Sequence, residues 1–211
     1  DFHFLVDDAI DRSMANLARR IDTSKMDEKN FFVFNPAPYP RDEVVSVGGD
    51  AMFVKDIPAF GYKPVLANDS DKVIVDGKTI KNGKLEVTIN DNGTVDLLHL
   101  ATGKAYKGLG AIKDAGDAGD EYNYSYPDTD KFFYSTDQAV KVDFVSVQDA
   151  AVEVEISCDM QVPISVTADR KQRHSETSVM PIRTRVRVEA GSDVLKFKTT
   201  IKNTVKDHIV Y

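Results

Sequence analysis

Hydrophobic positions along the chain follow two different periods. Between residues 5 and 21, Val6, Ile10, Met14, Leu17 and Ile21 step by four, four, three and four, a spacing that stripes one face of a helix. Asp7 and Asp8 near its start and Arg19 and Arg20 near its end suit the helix dipole. The pattern predicts one amphipathic helix over 5–21. A lone helix of this length is marginal in water, so its stripe needs a partner, expected to be a helical neighbour outside this chain.

From residue 31 onward the period shortens to two. Phe31, Phe32, Val33 and Phe34 lead into a segment with prolines at 36, 38 and 40, which rules out a helix and favours an extended edge or turn. Val44, Val45 and Val47 end at Gly48 and Gly49. Leu85, Val87 and Ile89 alternate with polar residues, and Asp91-Asn-Gly93 makes a turn before Val95–Leu100. Val152, Val154, Ile156, Cys158 and Met160 alternate with Glu153, Glu155, Ser157 and Asp159. Arg183, Arg185 and Arg187 alternate with Thr184, Val186 and Val188, and Leu195, Phe197, Thr199 and Ile201 with lysines and a threonine. Alternation of this kind puts one side of a strand in a core and the other in water. Many such strands joined by Gly, Asn and Asp turns predict a mainly β chain, an antiparallel β-sandwich preceded by one N-terminal helix. No strand–helix rhythm or internal repeat is present. Residues 103–138, rich in Gly, Asp and Tyr, read as one long loop, and long loops in compact domains tend to carry function or disorder.

Composition narrows the partners. The formal net charge of -7 gives no general attraction to phosphate backbones or anionic lipid, which argues against nucleic acid and membrane surfaces. No apolar run approaches the roughly 20 residues of a membrane span. Cys158 is the single cysteine, which excludes an intrachain disulfide and fits a reducing compartment. The chain starts at Asp1 with no signal peptide after it and reads as a piece of a longer protein. Sequons at Asn68, Asn92 and Asn123 would matter only in a eukaryotic secreted protein; in a chain this rich in Asn, Ser and Thr, chance is the plainer account.

Candidate chemistry concentrates in the long loop. Asp114, Asp117, Asp120 and Glu121 make an acidic run, followed by Tyr122, Tyr124, Tyr126 and Tyr134 with Phe132 and Phe133. Carboxylates at this density could hold Ca²⁺ or act on a glycosidic bond, and phenols offer an apolar face with a polar handle. The spacing does not match the EF-hand pattern, and the plain reading is a solvated loop with aromatics folded back on the sandwich. None of His3, His99, His174 and His208 has the helical metal-ligand spacing. Asp207-His208 could supply ligands in three dimensions, but an isolated Asp-His near a strand end is more often structural. Arg183, Arg185 and Arg187 could face an anionic ligand, yet with acidic residues throughout the chain a cross-strand ion-paired face is the better expectation. There is no phosphate loop and no nucleophile elbow. The motifs give no complete catalytic apparatus, so no catalytic residue and no metal ligand is assigned to this chain.

Five ordered segments resemble the C-terminal half of glycoside hydrolase family 38 α-mannosidases. They are Val33-Phe-Asn-Pro36, Asp56-Ile-Pro-Ala-Phe-Gly-Tyr62, Asn90 to Leu98 leading into Ala101-Thr-Gly-Lys104, Gly119-Asp-Glu-Tyr-Asn-Tyr-Ser125 with Pro127, and Ile201-Lys-Asn203 followed by Lys206-Asp-His208. The resemblance implies that residues 1–26 are the last helix of a three-helix bundle and 31–66 a linking β segment. It makes 80–211 the first, incomplete part of a mutarotase-like β-supersandwich. It implies a parent enzyme that hydrolyses terminal α-mannosides with retention, through an Asp nucleophile and a second carboxylic acid. A zinc ion in that parent would grip the sugar hydroxyls, its ligands and the nucleophile lying upstream of residue 1.

By the same resemblance, Tyr122 contacts the substrate at the rim of the sugar site, with Asp120 and Glu121 beside it. This chain would then support the catalytic domain and be inactive alone. Its partners would be the rest of the parent chain and, through it, an α-mannoside. The sequence departs from the family at Ile209, where a basic residue is usual. Two rival readings remain: a free-standing carbohydrate-binding or mutarotase-like module recruiting His174 or His208, and a purely structural sandwich. A bacterial cytoplasmic parent fits the single cysteine best, with lysosomal or secreted parents as alternatives.

Overall fold

The computed structural model describes residues 2–22, 24, 31–65 and 71–211, and the side chains of all of these except residues 2–4. The sequon at Asn68 lies outside the described residues. One helix, α1 (Phe2–Ala18), precedes all the strands. It starts three residues earlier than its apolar stripe predicts, so Asp7 and Asp8 sit past the first turn rather than in it. Asp8 instead pairs with Arg12 one turn on, at 3.0 Å. The stripe of Val6, Ile10, Met14 and Leu17 is exposed and lines, with Leu5 and Phe34, an open apolar groove.

Four strands follow: β1 (Phe31–Phe34), β2 (Arg41–Val47), β3 (Asp50–Ile57) and β4 (Tyr62–Val65). β1 pairs with β4 and β2 with β3, both antiparallel. Val54, Ile57 and Val65 form a small core with Val33, Val45 and Met52 against it. Two segments of the family resemblance meet here. Asn35 is buried; its amide donates to the carbonyls of Tyr39, Ile57 and Pro58 at 2.8–3.3 Å, and its oxygen accepts from Ala37 N at 3.0 Å. An Asn with nearly every bond satisfied thus ties the proline-rich turn to the end of β3.

The remaining strands build three sheets. The first is a meander of β5 (Ile74–Asp76), β6 (Thr79–Lys81), β7 (Leu85–Ile89), β8 (Val95–His99) and β9 (Lys104–Leu109). β10 (Lys113–Gly116) and β11 (Phe133–Tyr134) come next. β12 (Val140–Val147), β13 (Ala151–Pro163), β14 (Thr177–Glu189) and β15 (Lys196–Ile201) make a second meander. β16 (His208–Val210) returns to pair with β10, which gives a third sheet in the order β11-β10-β16. All of these ladders are antiparallel.

The β13–β14 hairpin organises the molecule. At 13 residues each, its strands reach roughly 44 Å at the usual rise per residue, long enough to serve two cores. Val152, Val154, Ile156, Val186 and Val188 pack against Ile80, Leu85, Val87, Ile89 and Val95 of the first meander, making a sandwich. Further along the same hairpin, Met160, Val162, Met180 and Ile182 meet Phe133 and Val210 of the three-stranded sheet, and Ile112 just before it. The opposite face carries the expected ion-paired ladder. Glu153 faces Arg187 and Glu155 faces Arg185 in register, with Arg185 at 3.2 Å from both glutamates.

The 103–138 segment departs from its reading as one irregular loop. It contains β9, β10, β11 and a short 3-10 turn (Ser135–Asp137). Their apolar content is too low for alternation to reveal them: β9 is almost wholly exposed, and β10 is four residues, Lys-Asp-Ala-Gly. Only Asp117–Asp128 and short connections remain irregular.

Candidate functional site

The irregular segment between β10 and β11 carries the residues singled out from the sequence. Asp117 closes its neck. Its Oδ1 accepts from Gly119 N at 2.8 Å and Ser125 N at 3.1 Å, and Ala118 N donates to Ser125 O at 2.6 Å. Asp120 shapes the tip, accepting on Oδ1 from Tyr122 N at 3.0 Å and Asn123 N at 2.9 Å. These two N–H groups hold its carboxyl below the usual carboxylate range, since they stabilise only the ionised form. Asp120 is therefore a turn-forming carboxylate bonded to the backbone of Tyr122. Glu121 is exposed, and Tyr122 projects from the tip at 86% exposure. Gly119 admits no side chain, because a Cβ there would lie 1.8 Å from Asn123 O.

Nearby phenols are less free. Tyr124 lies beside Tyr211, and desolvation together with a hydrogen bond to Tyr211 pushes its phenol above the ordinary value. Lys113 Nζ stands 3.7 Å from the centroid of the Phe132 ring and 5.4 Å from that of Tyr211, a cation–π arrangement that occupies ring faces.

Beneath the loop the structure brings together charges that the sequence keeps apart. Asp114 is fully buried, which overturns its reading as part of a solvated acidic run. Its Oδ1 accepts from Arg173 Nη2 at 2.6 Å and its Oδ2 lies 2.5 Å from His208 Nδ1. Arg173 is also buried, with Nη1 3.8 Å from Asp130 Oδ1 and its guanidinium over the Phe133 ring. Asp130 receives Gly116 N on both oxygens at 3.1 Å.

His208 Nε2 lies 3.2 Å from Asn203 Oδ1, and that oxygen also accepts from Val205 N at 3.0 Å. Both ring nitrogens therefore lie within hydrogen-bond distance of side-chain oxygens. His208 is thus held through both ring nitrogens, and Asp207 accepts Asp117 N on its carbonyl at 3.0 Å. The His208 ring, 5% exposed, cannot approach a ligand in solution, which removes one basis for a mutarotase-like reading. His174 is half-buried with Nδ1 accepting from Glu176 N at 3.1 Å, and His99 Nδ1 is bonded to Thr102 Oγ1 at 2.9 Å.

Among the described residues, no three His, Cys, Asp or Glu side chains are grouped to hold a metal ion. Asp114 and His208, which lie together, are engaged by Arg173 and Asn203. Arg170 and Arg173, both missed in the sequence, sit in a polar turn with no periodicity to mark them; only the fold places them against partners more than fifty residues away.

The second meander carries one more buried charge. Glu189 is 8% exposed at its side chain and is held by Arg187 Nε at 2.7 Å and Lys196 Nζ at 2.5 Å. Burial opposes its charge, but the two cations outweigh burial and hold its carboxyl below the ordinary value.

No protein-family model matches the chain. A protein of Halalkalibacterium halodurans named "Putative mannosylglycerate hydrolase" is 30% identical over 145 residues, 62% of this chain and 16% of that protein. Two solved structures share the fold at 19% identity. One is a protein in glycosyl hydrolase family 38 from Enterococcus faecalis, matched with a TM-score of 0.81 over 99% of this chain and 35% of that one. The other is an α-mannosidase from Enterococcus faecalis V583, with a TM-score of 0.79 over 99% of this chain and 33% of that one. The chain therefore spans about a sixth of the curated relative and a third of the solved ones. The likeness to family 38 read from five short segments is found again, in three dimensions, across nearly the whole chain.

Proposed function

We propose that this chain is a non-catalytic β-region of a zinc-dependent, retaining α-mannosidase of glycoside hydrolase family 38. It supports the catalytic domain and contributes to the rim of the sugar site. The observation that carries the reading is the structural match over 99% of the chain to a family 38 protein and an α-mannosidase. In this reading residues 1–26 close a helical bundle, 31–66 link, and 80–211 begin a mutarotase-like supersandwich. The exposed apolar stripe of α1 fits a helix with neighbours elsewhere in the parent. In this reading the nucleophile and the zinc ligands belong to the rest of that parent.

Tyr122 is the substrate contact. Its phenol stands clear of the fold on a loop whose neck and tip are both fixed by hydrogen bonds, so it can donate to a sugar hydroxyl without losing an internal partner. Asp120 serves it by holding the turn. Glu121 is within two residues of the same tip and free to face solvent or sugar. Terminal α-mannosides are the substrate class, and mannosylglycerate, named in the curated relative, belongs in the test panel. A bacterial cytoplasmic parent fits the bacterial sources of the relatives and the single cysteine. No helix among the described residues is long and apolar enough to cross a membrane.

The test is Tyr122→Phe in the full-length parent. Loss of one hydrogen bond that strengthens in the transition state lowers turnover by about 10–100-fold, or roughly 1.5–3 kcal/mol. Unchanged kinetics on every α-mannoside tried would remove Tyr122 from the site.

A further inference from the structure

Tyr122 sits at the end of a loop that something must hold at a fixed height. Among the described residues, four that are not glycine have left-handed backbones: Asp56, Phe60, Arg170 and Asp207. A side-chain-bearing residue adopts that conformation at a cost, and it persists where the surroundings enforce it. Two of the four grip the Tyr122 loop from one side. Arg170, with φ 59°, donates from Nε to Ala118 O at 2.8 Å and from Nη2 to Gly119 O. Asp207, with φ 52°, accepts Asp117 N on its carbonyl at 3.0 Å, and its carboxylate lies 4.0 Å from Arg170 Nη1.

The turn bearing Arg170 is itself fixed. Arg170 N donates to Thr167 O at 2.7 Å and Thr167 N to Gln172 O at 2.8 Å. Asp169 accepts from Thr167 Oγ1 at 2.6 Å and Lys171 N at 3.2 Å. The guanidinium therefore reaches the loop from a rigid base, and its planar fork spans two consecutive carbonyls with a preorganised geometry that a flexible ammonium lacks. Those carbonyls immediately precede Asp120, the residue that turns the chain into Tyr122. At Gly119 the two arms of the loop touch, so fixing Ala118 and Gly119 also fixes the returning arm.

We propose that Arg170 is a positioning residue for Tyr122. With Asp207 it clamps the loop neck, so that the rim phenol is held ready rather than ordered by the sugar. This rests on the reading of Tyr122 as a rim residue. It predicts a prearranged rim, where lost motion is not charged against substrate binding.

Full-length parent enzyme carrying Arg170→Ala, Arg170→Lys, Tyr122→Phe and the Arg170→Ala/Tyr122→Phe pair tests it with two readouts. The first is amide hydrogen exchange in peptides covering 117–126, with 151–163 as internal control. Both Arg170 variants should raise exchange in the loop by about 10-fold and leave the control unchanged. The second is kcat/KM on an aryl α-mannoside. Arg170→Ala should lower it by about 5–50-fold, with Lys giving no rescue. In the Tyr122→Phe background the same change should cost less than about 2-fold, since residues acting as a unit are not additive. Loop exchange unchanged in Arg170→Ala would overturn the clamp, and full additivity would overturn its action through Tyr122. If Tyr122→Phe alone leaves kinetics untouched, the rim reading falls and, with it, the positioning role, whereas raised loop exchange would still locate the clamp.

Discussion

Replacing Asp114 by alanine should be among the most destabilising single changes in this chain. Its carboxylate is fully buried and engages Arg173 Nη2 at 2.6 Å and His208 Nδ1 at 2.5 Å. Removing it leaves a guanidinium that is 4% exposed. Among the described residues its nearest remaining carboxylate is Asp130, at 3.8 Å from Nη1. An uncompensated buried charge costs about 3–5 kcal/mol, a large share of the roughly 5–15 kcal/mol that holds a domain together. For a chain of this length that corresponds to a fall in Tm of roughly 6–20 °C. Asp114→Asn keeps the volume and one acceptor and should fall between, near about 1.5–3 kcal/mol. Arg185→Ala, which breaks ion pairs on the exposed sheet face, should cost less than about 1 kcal/mol. Urea unfolding followed by circular dichroism, extrapolated to zero denaturant, gives the three values. If Asp114→Ala fell within about 1 kcal/mol of the unsubstituted protein, the cluster would not be the keystone of the β10–β16 sheet.

Two further outcomes follow from single positions. Gly119→Ala places a Cβ 1.8 Å from Asn123 O, so the loop must open. Amides of 117–126 should exchange faster while the sandwich core keeps its protection, and equal protection in the loop would contradict the tight crossing. Glu189 is held below its ordinary value of 4.5, so its contribution to stability is present above that value and disappears as pH falls through the lower, folded one. Glu189→Gln should therefore be less stable than the parent sequence near neutral pH and lose that difference in acid, as unfolding curves across pH would reveal; a constant difference would refute the assignment.

The parts of the fold that obey period two were legible in the sequence. β7, β13 and β14 alternate because each buries one face, and the Glu–Arg ladder on the outer face of β13 and β14 follows from charges placed opposite one another. The proline-rich turn after Phe34 was equally plain. What escaped was short or non-local. β10 is four residues long with a buried aspartate at its second position, so it read as acidic loop. Asp114 meets Arg173 and His208 across 59 and 94 residues of chain, contacts no spacing rule can reach. The helix spans Phe2–Ala18 and so begins before the first periodic position. Tyr122 was singled out by the family resemblance, whereas the residues that hold its loop, Arg170 and Asp207, are set by backbone conformations that only the folded chain displays.

The most direct test of the functional account is chromophore release from an aryl α-mannoside by the full-length parent, with and without a zinc chelator. The account predicts steady hydrolysis that the chelator abolishes and added zinc restores. A well-folded parent, supplied with zinc, that releases nothing from any α-mannoside or from mannosylglycerate would contradict it.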